Sequence, residues 1–128
     1  MRIIFATQNK GKLAEIRAIL GQDGYEVVSM GDLGLKAEAE EDGETFSENA
    51  EIKAREIYDK LRAEGRLEDH DIVMADDSGF CIDELDGAPG VHSARFMGHD
   101  TSYDIKNAAI LEKLRDVADD RRGAQFIC

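Results

Sequence analysis

Cysteine is almost missing from this chain, and the two present, Cys81 and Cys128, lie far apart. That spacing builds neither a disulfide framework nor a cysteine metal motif, and leaves a reduced, cytoplasmic protein as the simplest expectation. Long apolar runs are missing too. Nothing approaches the roughly 18 consecutive apolar residues that a membrane span needs. The apolar part of Met1–Thr7 is too short for a signal peptide. Positive charge is scarce: 16 Lys and Arg stand against 28 Asp and Glu, for a net charge of −12. A nucleic-acid polymer is bound through clustered Lys and Arg, so it is not an expected partner, and neither is a membrane. His70, His92 and His99 show no metal-ligand spacing, and no Ser/His/Asp or Cys/His arrangement stands out. The P-loop pattern G-x-x-x-x-G-K-[ST] is absent. There is no internal repeat, low-complexity tract or linker.

What remains is a globular balance. Hydrophobic residues make up 42% and charged residues 34% of 128 positions, enough for one domain, residues 1–128, with a real core. Most of the acids belong to a solvated surface. Ile3–Ala6 reads as a buried strand that ends in Thr7-Gln8-Asn9-Lys10-Gly11-Lys12. A helix follows, with Leu13, Ile16 and Leu20 at helical spacing and Gly21 as a stop. Tyr25–Met30 is a second strand, and 31–43 is a loop, strongly acidic from Glu38 to Asp42. Thr45-Phe46-Ser47-Glu48 is a capping box for a helix running to about Ala63, with Ala50, Ala54, Ile57 and Leu61 as its buried stripe. Ile72–Ala75 is a third strand and Phe80–Ile82 its return, followed by a tight turn at Gly87-Ala88-Pro89-Gly90. Thr101 is expected to cap a last helix carrying Ile105, Ala108 and Leu114, and Ala124–Cys128 to form a last strand. Strands alternating with helices give an α/β fold, a mixed sheet with flanking helices.

Three places carry chemistry. The turn Thr7–Lys12 has the geometry that cradles anions: backbone amides at a helix start, with Lys10 and Lys12 adding charge. An ordinary strand-to-helix connection with surface lysines fits the same residues. The second place is the end of the third strand, where Ile72–Ala75 stops in Asp76-Asp77-Ser78-Gly79. Carboxylates are costly to bury unless they meet a cation or hydrogen bonds, and such strand tips are where open α/β sheets bind ligands. If the strand continues, the two acids point to opposite faces and do different jobs. One is then a metal ligand or general base, and the other satisfies amides or a cation. A turn in which both acids cap amides is the alternative. The third place is Glu40-Glu41, since magnesium is held by a few oxygen ligands with water and phosphate completing its shell. Either acid can join Asp77 around such an ion, and a solvated loop is the plainer alternative. Lys53 can reach phosphate from the edge of the helix stripe, or be an exposed helix lysine. An aspartyl-nucleophile phosphatase is disfavoured, because the tip lacks an Asp-x-Asp arrangement.

Four stretches, Ala6–Lys12, Gly43–Ala50, Ala75–Gly79 and Gly87–Arg95, occur in an order that resembles the purine nucleoside triphosphate pyrophosphatases, which clear inosine and xanthosine triphosphates (ITP, dITP, XTP). The resemblance covers Arg2–Cys128. It implies a two-lobed α/β fold with the active site between the lobes, cleavage between the α and β phosphates, dependence on Mg2+, and a homodimer. It also implies roles. Thr7, Gln8, Asn9, Lys10, Gly11 and Lys12 would bind the triphosphate, and Lys53 and Ser78 would contact substrate. Glu40, rather than Glu41, would be a metal ligand, and Asp77 both metal ligand and general base. Gln8 stands where the family commonly has glycine or histidine. Family members run on for roughly another third of their length, with base-reading motifs that this sequence does not contain. The resemblance therefore also allows a truncated relative that binds nucleotide or a partner chain with little or no turnover.

Overall fold

Arg2–Phe5 (β1), Glu26–Ser29 (β2) and Ile72–Met74 (β3) form a parallel sheet in the order β2-β1-β3. The structure is a computed structural model that describes residues 1–98 and 101–128, so His99 lies outside the described residues. It divides into two compact units, Met1–Asp76 and Asp77–Cys128.

In the first unit β1 is the central strand. Ile3 pairs with Val27 on one side and Ile72 on the other. Its side chains alternate between two cores, as a strand's pleat requires. Ile3 and Phe5 pack with Leu13, Ile16 and Leu20 of the helix Lys10–Gly21 (α1). Ile4 and Ala6 pack with Ile57 and Leu61 of the helix Phe46–Ala63 (α2). The sheet is thus covered by one helix on each face, and a β1 buried on both faces reads as a continuous apolar run. Full burial of Ile4, Phe5, Ile57 and Leu61 contributes about 1.5–3 kcal/mol each.

The capping box at α2 forms as the sequence requires: the Thr45 hydroxyl accepts from the Glu48 amide, and Glu48 accepts back from Thr45 N–H. The buried stripe differs in part from expectation. Ile57 and Leu61 are buried, Ala50 and Ala54 only half so, and the buried residue of the first turns is Asn49.

Arg2 fastens the start of β1 to the start of β3. Its guanidinium donates to both carboxylate oxygens of Asp71, at 3.1 and 2.5 Å, and Glu68 N–H donates to the same carboxylate at 2.9 Å. The hydrogen bond from Arg2 is the main reason the Asp71 carboxyl is held below the usual carboxylate range, with burial opposing it. A depressed carboxyl contributes stability that is fully present above its unfolded value, about 3.9, and is lost as pH falls through its lower folded value. Asp71→Asn is therefore expected to cost on the order of 1 kcal/mol near neutral pH, allowing for solvent screening on the Arg2 side. The gap between the two melting temperatures should close below about pH 4. A gap independent of pH would show that the pair is not the source.

The second unit pairs Gly79–Ile82 (β4) with Ala124–Ile127 (β5) in antiparallel register, Phe80 opposite Phe126. Parallel and antiparallel pairing are thus segregated into two sheets. Ile82, with Ile110 and Leu114 of the helix Tyr103–Lys113 (α3) and its end, makes the core here. Two expectations are corrected. Ser102, not Thr101, caps α3, accepting from the Ile105 amide, while the Thr101 hydroxyl donates to Met97 O. The inward stripe is Lys106, Ile110 and Leu114, whereas Ile105 and Ala108 are exposed. Lys106 is buried because its ammonium donates to Ala94 O at 2.9 Å and lies 4.9 Å from the Tyr103 ring centre, leaving its stem to pack.

Candidate phosphate and metal site

The strand-to-helix turn after β1 is tightly built. Thr7 is buried, and its hydroxyl accepts from the Asn9 amide at 3.1 Å. Asn9 is the N-cap of α1, and its side-chain oxygen accepts from Lys12 N–H at 3.0 Å. Gln8, Asn9, Lys10 and Gly11 are exposed. A helix start leaves its first amides without intrahelical acceptors, and Asn9 satisfies that of Lys12. The amides of Lys10 and Gly11 open a positive helix end of the kind that binds phosphate. A Cβ on Gly11 would lie 3.2 Å from the Asn9 side-chain oxygen, so a larger residue there would crowd the cap.

Lys12 is half-buried, and its ammonium pairs with the Asp76 carboxylate. The reason is topological. β1 and β3 are parallel neighbours, with Ala6 N–H donating to Met74 O at 2.7 Å, so both strand ends lie side by side. The residues after β3 therefore meet the start of the helix that follows β1. Strand pairing stops at Met74, so the alternation of faces reaches Ala75 and does not by itself orient the acids. Val73 and Ala75 pack on the α2 side of the sheet and Met74 on the α1 side.

The acidic loop is not free in solvent along its length. One face of α2 fastens it, at positions three or four residues apart that share a helix face. Lys60 donates to Lys36 O at 2.7 Å. The Glu56 carboxylate accepts from the amides of Glu38 and Ala39 at 2.7–3.2 Å. Lys53 lies 3.7 Å from a carboxylate oxygen of Glu41. Asn49 accepts from Gly43 N–H at 2.8 Å. Lys53 is therefore not the solvent-facing lysine that spacing alone allows: its side chain is 14% exposed. Glu40 sits between two fastened residues and is exposed.

Asp77 opens the second unit. Its Oδ2 is buried and has no hydrogen-bond partner among the described residues. Ser78 follows, and Gly79 begins β4, where its backbone lies against Gly90 O. The Ser93 hydroxyl accepts from Phe80 N–H at 2.8 Å and donates to Gly90 O at 2.6 Å. Ile82 N–H donates to Ala88 O, and Cys81 bridges to Pro89. The stretch Gly87–Arg95 thus braces the strand that presents Ser78. No chemical role is expected of that stretch from its residues, and its contacts here are structural.

Among the described residues, no three His, Cys, Asp or Glu side chains are grouped so as to hold a metal by themselves. Mg2+ does not ask for such a cage, since it keeps waters and takes one or two carboxylates plus phosphate oxygens. The unpartnered, buried oxygen of Asp77 is what a cation would compensate, so the residues present fit such an ion.

The sequence model of the Ham1 family matches residues 3–128. A dITP/XTP pyrophosphatase of Exiguobacterium sibiricum is 49% identical over 128 residues, all of this chain and 61% of that protein. One of Clostridium perfringens is 43% identical over 127 residues, 99% of this chain and 61% of that protein. The chain thus spans about three fifths of the length of the curated relatives it matches. Among solved structures, a HAM1 protein from Coxiella burnetii superposes with a TM-score of 0.81 at 34% identity, covering 98% of this chain and 59% of the other. The Staphylococcus aureus Ham1 protein gives 0.78 at 32%, with the same coverage. No helix among the described residues is long and apolar enough to cross a membrane.

Proposed function

The chain belongs to the Ham1 family, and from that premise we propose that it is a Mg2+-dependent pyrophosphatase of aberrant purine nucleoside triphosphates: ITP, dITP and XTP. The observation that carries this reading is the likeness of the whole chain to proteins named dITP/XTP pyrophosphatase. The α1 amides with Lys10 and Lys12, and the buried oxygen of Asp77, support the roles.

Asp77 and Glu40 would hold the cation, whose binding supplies charge neutralisation on the phosphates and a more acidic water. Asp77 takes the proton of the attacking water. The water oxygen bonds to the α phosphorus as the bond to the oxygen bridging to the β phosphorus breaks, so that pyrophosphate leaves with the electron pair. The turn Thr7–Lys12, with Gln8, Asn9 and Gly11 offering backbone and side-chain donors, holds the phosphates. Lys10, Lys12 and Lys53 stabilise negative charge gathering on the leaving pyrophosphate. Ser78 contacts the substrate beside Asp77, and Asp76 keeps Lys12 in place. The chain would act as one domain over residues 1–128, in a homodimer, in the cytoplasm, where Cys81 and Cys128 stay reduced.

The test is product analysis with ITP. Inosine monophosphate and pyrophosphate should form with Mg2+ and not with a chelator present. No release from the chain with Mg2+ would overturn the enzyme reading and favour a form that binds nucleotide or a partner chain without turnover.

A further inference from the structure

We propose that Glu56 is a positioning residue: it holds the acidic loop in the shape that binds the divalent cation. The proposal rests on the reading of Glu40 and its loop as part of the metal site. The loop's backbone and Glu56 make a specific joint. Both oxygens of one carboxylate face two successive amides, Glu38 N–H at 2.7 and 2.9 Å and Ala39 N–H at 3.2 and 2.9 Å. The carboxylate is 14% exposed, although it sits on a helix whose neighbouring Glu51 is 64% exposed. Lys60, 3.5 Å away, balances its charge and lies at the same distance from the Glu38 carboxylate. Glu40 is the next residue after the clamped pair.

The physical point is where the acids would go without the clamp. Glu38, Glu40, Glu41 and Asp42 crowd one short loop and repel each other. A further carboxylate would be expected to drive such a loop away. Glu56 does the reverse, because its oxygens accept from backbone amides and its charge is met by Lys60. The helix holds its shape by its own hydrogen-bond ladder and the loop has no such ladder, so the clamp ties the acidic segment to a regular element. Groups that orient a metal ligand without touching the metal commonly govern affinity by 10- to 100-fold.

The experiment is a Mn2+ titration of the full chain by calorimetry, without substrate, paired with amide hydrogen exchange. Glu56→Ala should raise the Mn2+ dissociation constant about tenfold or more and speed exchange at Glu38 and Ala39. Glu56→Gln keeps one acceptor oxygen and should fall between. A dissociation constant within about twofold of wild type, or amides that stay protected, overturns the proposal. Glu40→Gln is read separately. Unchanged affinity there removes Glu40 as ligand, while the effect of Glu56 on the loop is still scored by its own two readouts. A wild-type chain that binds no Mn2+ overturns both.

Discussion

Asp77→Asn is expected to lower pyrophosphate release from ITP by about 10²- to 10⁴-fold, the range that a positioned proton acceptor contributes. The same change should leave melting temperature unchanged or raise it. The two signs come from one observation. Asp77 Oδ2 is buried and has no hydrogen-bond partner among the described residues. An ionised oxygen so placed costs stability in the absence of a cation, and an amide of the same shape costs less. An amide cannot take a proton from water, however, and is a poorer partner for a divalent cation. A residue kept at the expense of stability is the signature of a functional group rather than a packing one. Release from the variant at the wild-type rate would remove Asp77 from the chemistry. A lower melting temperature with the rate unaffected would make it a structural acid.

What was legible in the sequence was what is decided locally. The run Ile3–Phe5 is a strand because a parallel strand covered on both faces is apolar throughout, and the shorter apolar run Ile72–Met74 pairs beside it at the sheet edge. The Thr45–Glu48 box starts α2 because its two hydrogen bonds lie within four residues. The strand tip before Asp76-Asp77 stood out because carboxylates interrupt an apolar run. The misses share a cause too. Spacing finds Leu114 of the α3 stripe but not Lys106, which is buried through its stem because an acceptor in another segment, Ala94 O, permits it. The stretch 31–43 is a loop, as its sequence indicates, but its fastening from 36 to 43 is not legible there because those contacts come from α2, further down the chain. Asn49, near the start of α2, is fully buried and its oxygen ties down Gly43. A Cβ on Gly43 would lie 2.7 Å from that oxygen, which is why glycine stands there. The one signal within reach was that Asn49, Lys53, Glu56 and Lys60 share a helix face with a polar loop of matching length upstream.

Gly79→Ala is expected to be the most damaging single-methyl change in the second unit. Its added carbon would sit 2.1 Å from Gly90 O, 2.8 Å from the Ser93 hydroxyl oxygen and 2.9 Å from Gly90 C. Glycine is required by this close approach of two backbones, a known reason for glycine within a strand. The Gly90 carbonyl cannot swing aside cheaply. It accepts the Ser93 hydroxyl at 2.6 Å, and that hydroxyl accepts from Phe80 N–H. Relief therefore means parting β4 from the turn Gly90–Arg95 and losing both hydrogen bonds. Overpacking costs about 1–3 kcal/mol before such losses are added, and each kcal/mol is worth roughly 3–8 °C for a chain of this size. A fall in melting temperature of about 10 °C or more is the expected result. Gly21→Ala is the comparison to run beside it. Nothing lies within 4 Å of a Cβ there, and the residue ends α1 in helical geometry. That change should be neutral or stabilise by about 0.5–1 kcal/mol. If the two variants melt alike, the tight seat of Gly79 against Gly90 is wrong. If Gly79→Ala alone melts early and also loses pyrophosphate release at temperatures where it is still folded, the brace behind Ser78 sets the geometry of the tip as well as its stability.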